Sequence, residues 1–413
     1  LVVYGIACMI GFMTGLEIPL ITRINQSYES LRENISSVME YDYYGGLLGG
    51  ALFAFILLPF LGLTYTPVLI GSVNLLVASL ILWQFPKRLE RPRILNFQFF
   101  LLLLVSIAAF AAAKPIVLYG EQHKYKDKIV YQEQTRYQKI VVTQWKDDFW
   151  LFINGSTQFS TYDEERYHEP LVHPVMGLIE ERNDILLLGG GDGLAAREIL
   201  KYSDVKNLTL VDLDPAMTRL AQQDKIFLNI NQESMNDPRI SVVNQDAYQF
   251  IKGSDRLYDV IVIDLPDPKS VSLSLLYSLG FYKMVEKHLK PFGAMITQST
   301  SPLYSPEVFL CIKKTMQAAG FSVLPYQNSI PSMGQWGWNL GIRNKVMSSK
   351  ILKQKAEMYK YPDIETHFFN QDAMISMVHF GKGLFEKEEK IEINTQFNHN
   401  ILKYYRQGSW DLY

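Results

Sequence analysis

The first 113 residues are organised around long apolar stretches, which lie at 1–21, 45–63, 67–85 and 94–113. A membrane-spanning helix needs about 20 mostly apolar residues, and these stretches carry almost no charge. A buried core helix is the alternative for any one of them, but it is less favoured for all four together. We therefore predict about four transmembrane helices over residues 1–113, with a polar segment at Thr22–Tyr43 and a turn near Thr64–Thr66.

The chain begins at Leu1 inside an apolar stretch, so we expect further residues, including further spans, upstream. Glu17 is the acid at membrane depth, and a functional role and a helix-packing role both stay open for it.

The loop at 86–93 carries four basic residues, Lys87, Arg88, Arg91 and Arg93, which favour a cytoplasmic location. Lysines between 114 and 128 oppose that orientation, so the charge pattern leaves it undecided.

Between residues 114 and 175 the pattern changes to alternating β-branched, aromatic and polar side chains. Such alternation predicts strands, and the Asn154–Gly155 pair favours a tight turn between two of them. We predict a small antiparallel β domain at 114–175 that ends in a helix near Glu164–Ile179.

Residues 176–344 alternate between strand-like and helix-like patterns. Strands are predicted at the segments ILLLGG, LTLVDLD, ISVVNQDA, YDVIVIDLPDP and GAMITQST, with helices between them. This order predicts an α/β domain with a parallel sheet. Residues 345–413 show no chemical motif, and we expect them to form a C-terminal extension docked on that domain.

Composition narrows the range of partners. The formal net charge of −2 gives no indication of nucleic-acid binding. The two cysteines, Cys8 and Cys311, lie far apart in the sequence, which argues against a disulfide framework or a cysteine-based zinc site. Small molecules and a lipid bilayer remain as the expected partners.

A glycine-rich turn and several aspartates stand where a parallel sheet binds its ligands. The turn is GGGDG at 189–193, directly after the first predicted strand of the sheet. Aspartates at four strand ends follow the same pattern: Asp192, Asp212 with Asp214, Asp246, and Asp264 with Asp267. One such acid is most simply a helix cap, whereas acids at four strand ends facing one crevice favour a binding site.

The acids nearest the glycine turn favour a positively charged nucleoside. Asp192 occupies the place of a pyrophosphate, and a carboxylate repels phosphate while it attracts a cation. Asp212 can accept hydrogen bonds from ribose hydroxyls, and Asp246 followed by the small Ala247 suits an adenine edge. A sulfonium nucleoside such as S-adenosylmethionine fits these requirements.

A second anionic pair, Asp264 and Asp267, favours a cationic co-substrate. A carboxylate can orient an ammonium group, and one with a suitable pKa can remove its proton to expose a nucleophilic nitrogen. Metal binding is the competing interpretation. No spacing matches a metal-binding loop, so we predict no metal site.

Several long motifs together resemble the polyamine aminopropyltransferases, the spermidine synthase family. In chain order they are EQTRYQKIVV, FINGSTQFSTYDEERYHEPLVHP, LLLGGGDGLAAREILKY, LVDLDP, NDPRISVVNQDAYQFI and YDVIVIDLPDP. The resemblance runs from about Gln134 to Asn344 and implies a Rossmann-like, methyltransferase-type domain. The four apolar stretches and the aromatic tail at 404–413 further resemble the membrane-embedded, multi-span branch of that family.

The resemblance implies aminopropyl transfer to a polyamine, with decarboxylated S-adenosylmethionine as co-substrate, 5′-methylthioadenosine as product and no prosthetic group. It implies that the donor is bound by Gln138, Gly189, Gly191, Asp192, Asp212, Asp246 and Ala247. In this reading Asp192 holds the aminopropyl ammonium group. It implies that the acceptor is bound by Tyr167, His168, Asp267 and Gln335, and that Asp264 is the general base.

This sequence departs from the family pattern on the acceptor side. Relatives carry glycine, proline and an acid soon after the DP pair, where this chain has Ser270, Val271 and Leu273. Soluble relatives have an acceptor-binding tyrosine in the loop that corresponds to Ile330–Gly337, which is shorter here. Putrescine is the default acceptor, and a different amine stays open.

Two other functions remain as alternatives, an S-adenosylmethionine-dependent methyltransferase and a polyamine-binding membrane protein without turnover. We expect a multi-pass protein of the cytoplasmic (inner) membrane with its catalytic domain inside, because decarboxylated S-adenosylmethionine is made in the cytosol. The basic loop at 86–93 speaks against that orientation. A homodimer is an open expectation.

Overall fold

The computed structural model describes residues 2–25, 30–84, 91–343, 347–361 and 364–410. The chain divides into two compact units, Leu1–Lys126 and Asp127–Tyr413. The first unit is built from long apolar helices, and the second is an α/β unit with two sheets.

The helices of the first unit are α1 (Val2–Asn25), α2 (Leu31–Leu52), α3 (Leu58–Gln84) and α4 (Pro92–Gln122). A π-helical turn at Phe53–Leu57 joins α2 to α3. Four segments are long and apolar enough to cross a membrane, judged by length and composition: Tyr4–Ile24, Arg32–Gly62, Thr64–Gln84 and Pro92–Gln122.

The polar segment predicted at Thr22–Tyr43 is helical over much of its described length. Helix α2 begins at Leu31, and Asn34 is buried with its side-chain amide donating to the Thr22 carbonyl oxygen at 2.7 Å. This bond ties α2 to α1.

The turn expected near Thr64–Thr66 lies a little earlier, at Gly62. Its backbone has φ 64° and ψ −174°, a conformation that suits a residue without a Cβ atom. The Thr66 hydroxyl donates to the Gly62 carbonyl oxygen at 2.6 Å and so gives this carbonyl a partner where the helix is interrupted.

Helix α4 continues to Gln122, past the expected end at Ala113. The basic residues Lys87 and Arg88 lie outside the described residues.

The small antiparallel sheet was predicted correctly. Its strands are β1 (Lys128–Gln134), β2 (Lys139–Trp145), β3 (Asp148–Ile153) and β4 (Ser156–Ser160), paired in chain order. Asn154 and Gly155 form the expected turn with φ 51° and 80°. Helix α5 follows at Glu165–Leu178.

The large sheet contains all five predicted strands and two more. The strands are β5 (Asp184–Gly189), β6 (Asn207–Asp212), β7 (Ile240–Asn244), β8 (Tyr258–Asp264), β9 (Leu289–Gln298), β10 (Ser322–Ile330) and β11 (Gly334–Ile342). Their order is β10-β11-β9-β8-β5-β6-β7. Strands β5 to β9 are parallel, whereas β11 runs antiparallel to both β9 and β10. The prediction of a parallel sheet is therefore confirmed for its five strands, β5 to β9, whereas the hairpin of β10 and β11 was not predicted, and its tight turn can join only antiparallel neighbours.

Helices cover both faces of this sheet. They are α6 (Leu194–Leu200), α7 (Pro215–Gln223), α8 (Lys225–Asn231), α9 (Ala247–Gly253), α10 (Val271–Leu275), α11 (Leu279–Lys287) and α12 (Pro306–Ala318). Alternate residues of β5 belong to different cores: Leu187 packs with α5 and α6, and Leu188 packs with α11 and α12. A strand buried on both faces explains the continuous apolar run before the glycine turn.

The C-terminal segment packs on the same unit. Its helices are α13 (Ser349–Met358), α14 (Gln371–Met377) and α15 (Asn400–Arg406), with a 3-10 segment at Phe385–Lys390. Leu352 and Met374 extend the core on the α5 side, and Ile391 and Ile401 extend the core on the α12 side.

Candidate active site

The predicted acids lie along one edge of the large sheet, at the carboxyl ends of its parallel strands. Strand β5 lies between β8 and β6, and its last residue, Gly189, is opposite Asp264 of β8. Asp212 is the last residue of β6 and pairs with Asn244 of β7. Asp246 follows Asn244 by two residues. The glycine turn after β5 therefore stands between Asp212 and Asp264.

The glycine turn is packed too closely for side chains. A Cβ atom on Gly189 would lie 1.9 Å from the Asp264 carbonyl oxygen. A Cβ atom on Gly191 would lie 2.5 Å from Asp212 Oδ2, and the Gly191 amide donates to that same oxygen at 3.1 Å. The two glycines thus bring the backbone into contact with both neighbouring strand ends.

The carboxylates around the turn influence one another. Burial, together with the nearby Asp192 carboxylate, raises the pKa of Asp212 to about 6 against the opposing effect of the Asp214 and Gly191 amides. Burial also raises the pKa of Asp192, while His168 opposes that rise. Carboxylates whose pKa is raised by burial and by a neighbouring like charge favour a cationic ligand.

The small sheet reaches this edge through the turn between β1 and β2. The Thr135 hydroxyl donates to Asp214 Oδ2 at 2.8 Å, which fixes the turn beside the end of β6. Gln138 closes the turn, because its carbonyl oxygen accepts from the Thr135 amide at 2.9 Å. Gln138 therefore belongs to a turn that contacts Asp214, two residues after Asp212.

Asp246 serves as the N-cap of α9. Its Oδ1 accepts a hydrogen bond from the Gln249 amide at 2.9 Å, and Ala247 is buried at the start of the helix. A helix-capping role and an adenine-binding role are compatible here, since Asp246 retains a second carboxylate oxygen.

Asp264 is joined to α5 by a short hydrogen bond. The Tyr167 hydroxyl donates to Asp264 Oδ1 at 2.6 Å, and the Tyr167 side chain is buried. Burial raises the pKa of Asp264 to about 6; His168 and Tyr167 oppose this rise, and Asp192 adds to it. A carboxylate with this pKa is mostly ionised at neutral pH and can accept a proton, as a general base must.

His168 supplies the positive charge of the site. Its Nδ1 lies 2.9 Å from Glu164 Oε2, and the other oxygen of Glu164 accepts from Arg197 at 2.7 Å. Burial alone would lower the pKa of His168, but Glu164, assisted by Asp192 and Asp264, raises it to about 9. The Glu164–Arg197 pair therefore keeps a buried imidazolium among the acids.

Asp267 lies further along the loop after β8 and is held by two side chains. Its Oδ2 accepts from the Tyr405 hydroxyl at 3.1 Å, and its Oδ1 is 3.4 Å from Gln298 Nε2. Burial raises the pKa of Asp267, while Lys269, Tyr405 and Gln298 oppose the rise. Tyr405 belongs to α15, so the C-terminal segment enters the site.

The β10–β11 hairpin borders α5. Its turn is fixed by Asp163, whose carboxylate accepts from the amide and the hydroxyl of Ser332 at 2.6 and 2.7 Å. Gln335, predicted in a loop, lies instead on β11, opposite Ser329. Only Pro331–Met333 form the turn, because Gly334–Gly337 pair with β10.

Comparisons with known proteins agree with this geometry. A family model described as the spermine/spermidine synthase domain matches residues 164–353. The polyamine aminopropyltransferase of Oceanobacillus iheyensis is 38% identical over 99% of this chain and 79% of its own length. That of Leptospira interrogans is 37% identical over 96% of this chain and 77% of its own length.

The chain belongs to the polyamine aminopropyltransferase family. Its reaction is the transfer of an aminopropyl group. A crystal structure of spermidine synthase in complex with the transition-state analogue AdoDATO shares the fold, with a TM-score of 0.57, 23% identity and coverage of 64% of this chain and 89% of that one. Spermidine synthase from Thermotoga maritima gives a TM-score of 0.56 at 23% identity, over 64% of this chain and 88% of that one.

Three residues of this aminopropyltransferase site escaped the sequence prediction: Glu164, Arg197 and Tyr405. Glu164 stands in an acidic run that reads as an exposed surface, and Arg197 reads as a polar position of α6. Tyr405 lies in a tail expected only to dock. In the described part of the chain, no cluster of three or more His, Cys, Asp or Glu residues could hold a metal ion.

Proposed function

We propose that the chain transfers the aminopropyl group of decarboxylated S-adenosylmethionine to putrescine, forming spermidine and 5′-methylthioadenosine. The observation that carries this proposal is the coupled set of carboxylates at the strand ends. Burial and then Asp192 raise the pKa of Asp212, and Asp192 also contributes to the raised pKa of Asp264. A sulfonium ligand with an ammonium tail adds positive charge to that of His168 and stabilises the ionised carboxylates.

The donor occupies the edge between β5 and β7. Asp192 holds the aminopropyl ammonium group, which disfavours the carboxylate of ordinary S-adenosylmethionine. Asp212 accepts from the ribose hydroxyls, and Gln138 contacts the nucleoside from the β1–β2 turn. Gly189 and Gly191 let the backbone approach the ligand, and Asp246 with Ala247 binds the adenine.

The acceptor occupies the edge between Asp264 and Asp267. Asp267 and His168 contact the amine chain, Tyr167 orients Asp264 through its 2.6 Å hydrogen bond, and Gln335 approaches from the hairpin. A diamine carries two ammonium groups, and two carboxylates at this end of the site match that charge.

The reaction is an in-line displacement. Asp264 removes a proton from the acceptor ammonium, and the freed nitrogen attacks the aminopropyl carbon beside the sulfonium. A carbon–nitrogen bond forms as the carbon–sulfur bond breaks, and its electron pair neutralises the sulfur, which leaves as the thioether of 5′-methylthioadenosine. Positioning of the two substrates and deprotonation of the amine lower the barrier without a covalent enzyme intermediate.

A single assay tests the proposed substrates. The purified chain is given decarboxylated or ordinary S-adenosylmethionine with putrescine, longer diamines or spermidine, and the nucleoside products are separated by chromatography. We expect release of 5′-methylthioadenosine with the decarboxylated donor and putrescine. Release of S-adenosylhomocysteine from the ordinary donor would favour methyl transfer. Turnover of another amine in place of putrescine would overturn only the identity of the acceptor and not the aminopropyl transfer.

We also propose that the first unit spans a membrane. Many of its large apolar side chains are exposed, including Phe60 and Trp83 at 81% and Phe12 and Phe97 at 68%. Exposed apolar surface on this scale is costly in water and favourable in lipid. Together with the four helices of spanning length, it supports a multi-pass protein of the membrane-embedded branch.

The proposed location of the catalytic unit is the cytoplasmic side of the inner membrane, where the donor is made. A Lys382→Cys variant tests it, because Lys382 is exposed and lies in the second unit. Cys8 is replaced by serine, and intact cells are treated with a membrane-impermeant maleimide. We expect labelling only after the membrane is permeabilised. Labelling of intact cells would place the catalytic unit outside.

A further inference from the structure

The acceptor end of the site receives a side chain from the C-terminal tail, which we define as residues 391–410. Helix α15 of this tail places the Tyr405 hydroxyl 3.1 Å from Asp267 Oδ2. The two residues are separated by 138 positions in the sequence. This contact belongs to the acceptor side, where the chain also departs from the pattern of its family.

The tail is anchored beside those departures. Helix α10, which contains Val271 and Leu273, packs against α15. Two polar contacts reinforce the packing: His399 Nδ1 lies 2.7 Å from Ser274 Oγ, and the Asn394 amide donates to the Ser274 carbonyl oxygen at 2.8 Å. The segment that carries the substituted residues therefore packs against the tail.

Tyr405 is itself held rigidly. Its ring stacks on Trp410 at 4.6 Å between centroids, and the Trp410 indole donates to the Tyr405 carbonyl oxygen at 2.7 Å. The Ser409 amide donates to the Tyr304 carbonyl oxygen at 2.8 Å and closes the tail onto the unit. A ring packed in this way loses little additional entropy when its hydroxyl forms a hydrogen bond.

Tyr405 provides the shorter of the two hydrogen bonds to Asp267. Gln298 lies at 3.4 Å from Asp267, and its amide nitrogen has shorter contacts with the Leu265 carbonyl oxygen at 2.7 Å and the Tyr277 hydroxyl at 2.6 Å. Gln298 is thus engaged mainly with the Leu265 carbonyl oxygen and the Tyr277 hydroxyl. The orientation of the Asp267 carboxylate depends chiefly on the tail.

We propose that Tyr405 is a positioning residue for acceptor binding, because its hydroxyl fixes the Asp267 carboxylate toward the acceptor ammonium group. The inference rests on the proposed role of Asp267 in holding the acceptor. It assigns to the C-terminal tail a part in acceptor selection that the glycine turn and the strand-end acids do not perform. The tail acts on the acceptor and leaves the donor site unchanged.

The test is a Tyr405→Phe variant of the whole chain, which keeps the stacked ring and removes only the hydroxyl. Acceptor and donor KM are measured separately by 5′-methylthioadenosine release. We expect the acceptor KM to rise about tenfold, the usual effect of losing a hydrogen bond to a charged group. The donor KM and kcat should change less than about twofold.

Tyr404→Phe is the matched control, because Tyr404 lies on the same helix and its hydroxyl accepts from the Glu392 amide at 3.2 Å, not from the site. An Asp267→Asn variant with and without Tyr405→Phe completes a double-mutant cycle. We expect Tyr405→Phe to have no further effect on acceptor KM once Asp267 is replaced.

An unchanged acceptor KM in Tyr405→Phe, or an equal effect in the Asp267→Asn background, would overturn the proposal. A rise in donor KM of the same size would also overturn it, since that marks a general structural defect. Failure of the proposed substrates is seen separately, because unmodified protein would then not turn over putrescine. In that case, the acceptor KM of each variant is compared with that of the unmodified protein by using whichever amine is turned over.

Discussion

The proposed donor half of the site and the proposed acceptor half are assembled in different ways. In the donor half, the Gly191 amide contacts Asp212 across 21 residues, within one strand–helix–strand unit. In the acceptor half, Tyr167 contacts Asp264 across 97 residues, and Tyr405 contacts Asp267 across 138. The Gly191–Asp212 contact follows from the local geometry of adjacent strand ends, whereas the two acceptor contacts join three separate parts of the chain.

This difference suggests how one fold can bind a different acceptor amine while it keeps the same nucleoside donor. The backbone of the glycine turn leaves little room for substitution, because both Gly189 and Gly191 touch neighbouring strand ends. The acceptor half uses side chains on α5 and in the tail, which can be exchanged without altering the sheet. Four variants, in order of decreasing expected effect, test whether the two halves are separable.

The largest effect is expected for Asp264→Asn. Asparagine keeps the shape and can still accept the Tyr167 hydrogen bond, but it cannot remove a proton. We expect kcat to fall about a thousandfold, as for loss of a general base. Calorimetric binding of 5′-methylthioadenosine should be retained. Loss of nucleoside binding in the same variant would show that the two halves are not separable.

Gly191→Ala should damage the donor half alone. Its new methyl group would lie 2.5 Å from Asp212 Oδ2, so the carboxylate must move. A displacement of about 1 Å at a binding group costs about a hundredfold, and we expect that rise in donor KM with little change in acceptor KM. Gly381→Ala is the control, because nothing lies within 4 Å of the position that its methyl group would take. Equal effects on both KM values would contradict the comparison.

Asp246→Ser separates capping from adenine binding. Serine caps a helix nearly as well as aspartate but is too short to reach a base edge. We expect thermal stability to be unchanged and donor KM to rise about tenfold, the effect of one lost hydrogen bond to a carboxylate. A fall in stability without a change in donor KM would leave Asp246 as a cap only.

Tyr167→Phe should produce the smallest change, a shift in pH dependence. The Tyr167 hydroxyl opposes the rise in the pKa of Asp264, which is about 6, so its loss raises that pKa further. Asp264 acts as a base when ionised, and activity is therefore lost as the pH falls through its pKa. We expect the acidic limb of kcat/KM to move up by about one pH unit.

Tyr162→Phe is the control for this pH profile, because Tyr162 is exposed. The acidic limb of kcat/KM in this variant should coincide with that of the unmodified protein. If the limb of Tyr167→Phe also stays in place, the hydrogen bond to Asp264 does not set the ionisation of the base.

The position of the strand-end acids could be predicted from the sequence, because Asp212 and Asp264 each end an apolar strand and Asp192 follows another. Parallel strands present their carboxyl ends at one edge, and the registers of β5 with β6 and β8 confirm that Asp212 and Asp264 lie on either side of the glycine turn. The same logic could not find Tyr405. No periodicity relates α15 to the loop after β8, and only tertiary packing on α10 brings them together.

The β10–β11 hairpin shows a second limit. The resemblance to soluble relatives led to the expectation of a loop at Ile330–Gly337. In the structure Gly334–Gly337 pair with β10, and β11 continues beside β9, where Trp338 pairs with Gln298. Glu164 was missed for a related reason: its buried ion pair with Arg197 depends on contact between α5 and α6.

The carboxylate of Asp163 has a consequence for motion in this region. It is buried and binds both the amide and the hydroxyl of Ser332, so the hairpin turn cannot lift away unless the segment before α5 releases it. Local opening of the two segments should therefore be one cooperative event. Hydrogen exchange would then report a common opening free energy for the amides of Ser332 and of the first turn of α5, and Asp163→Ala would uncouple them.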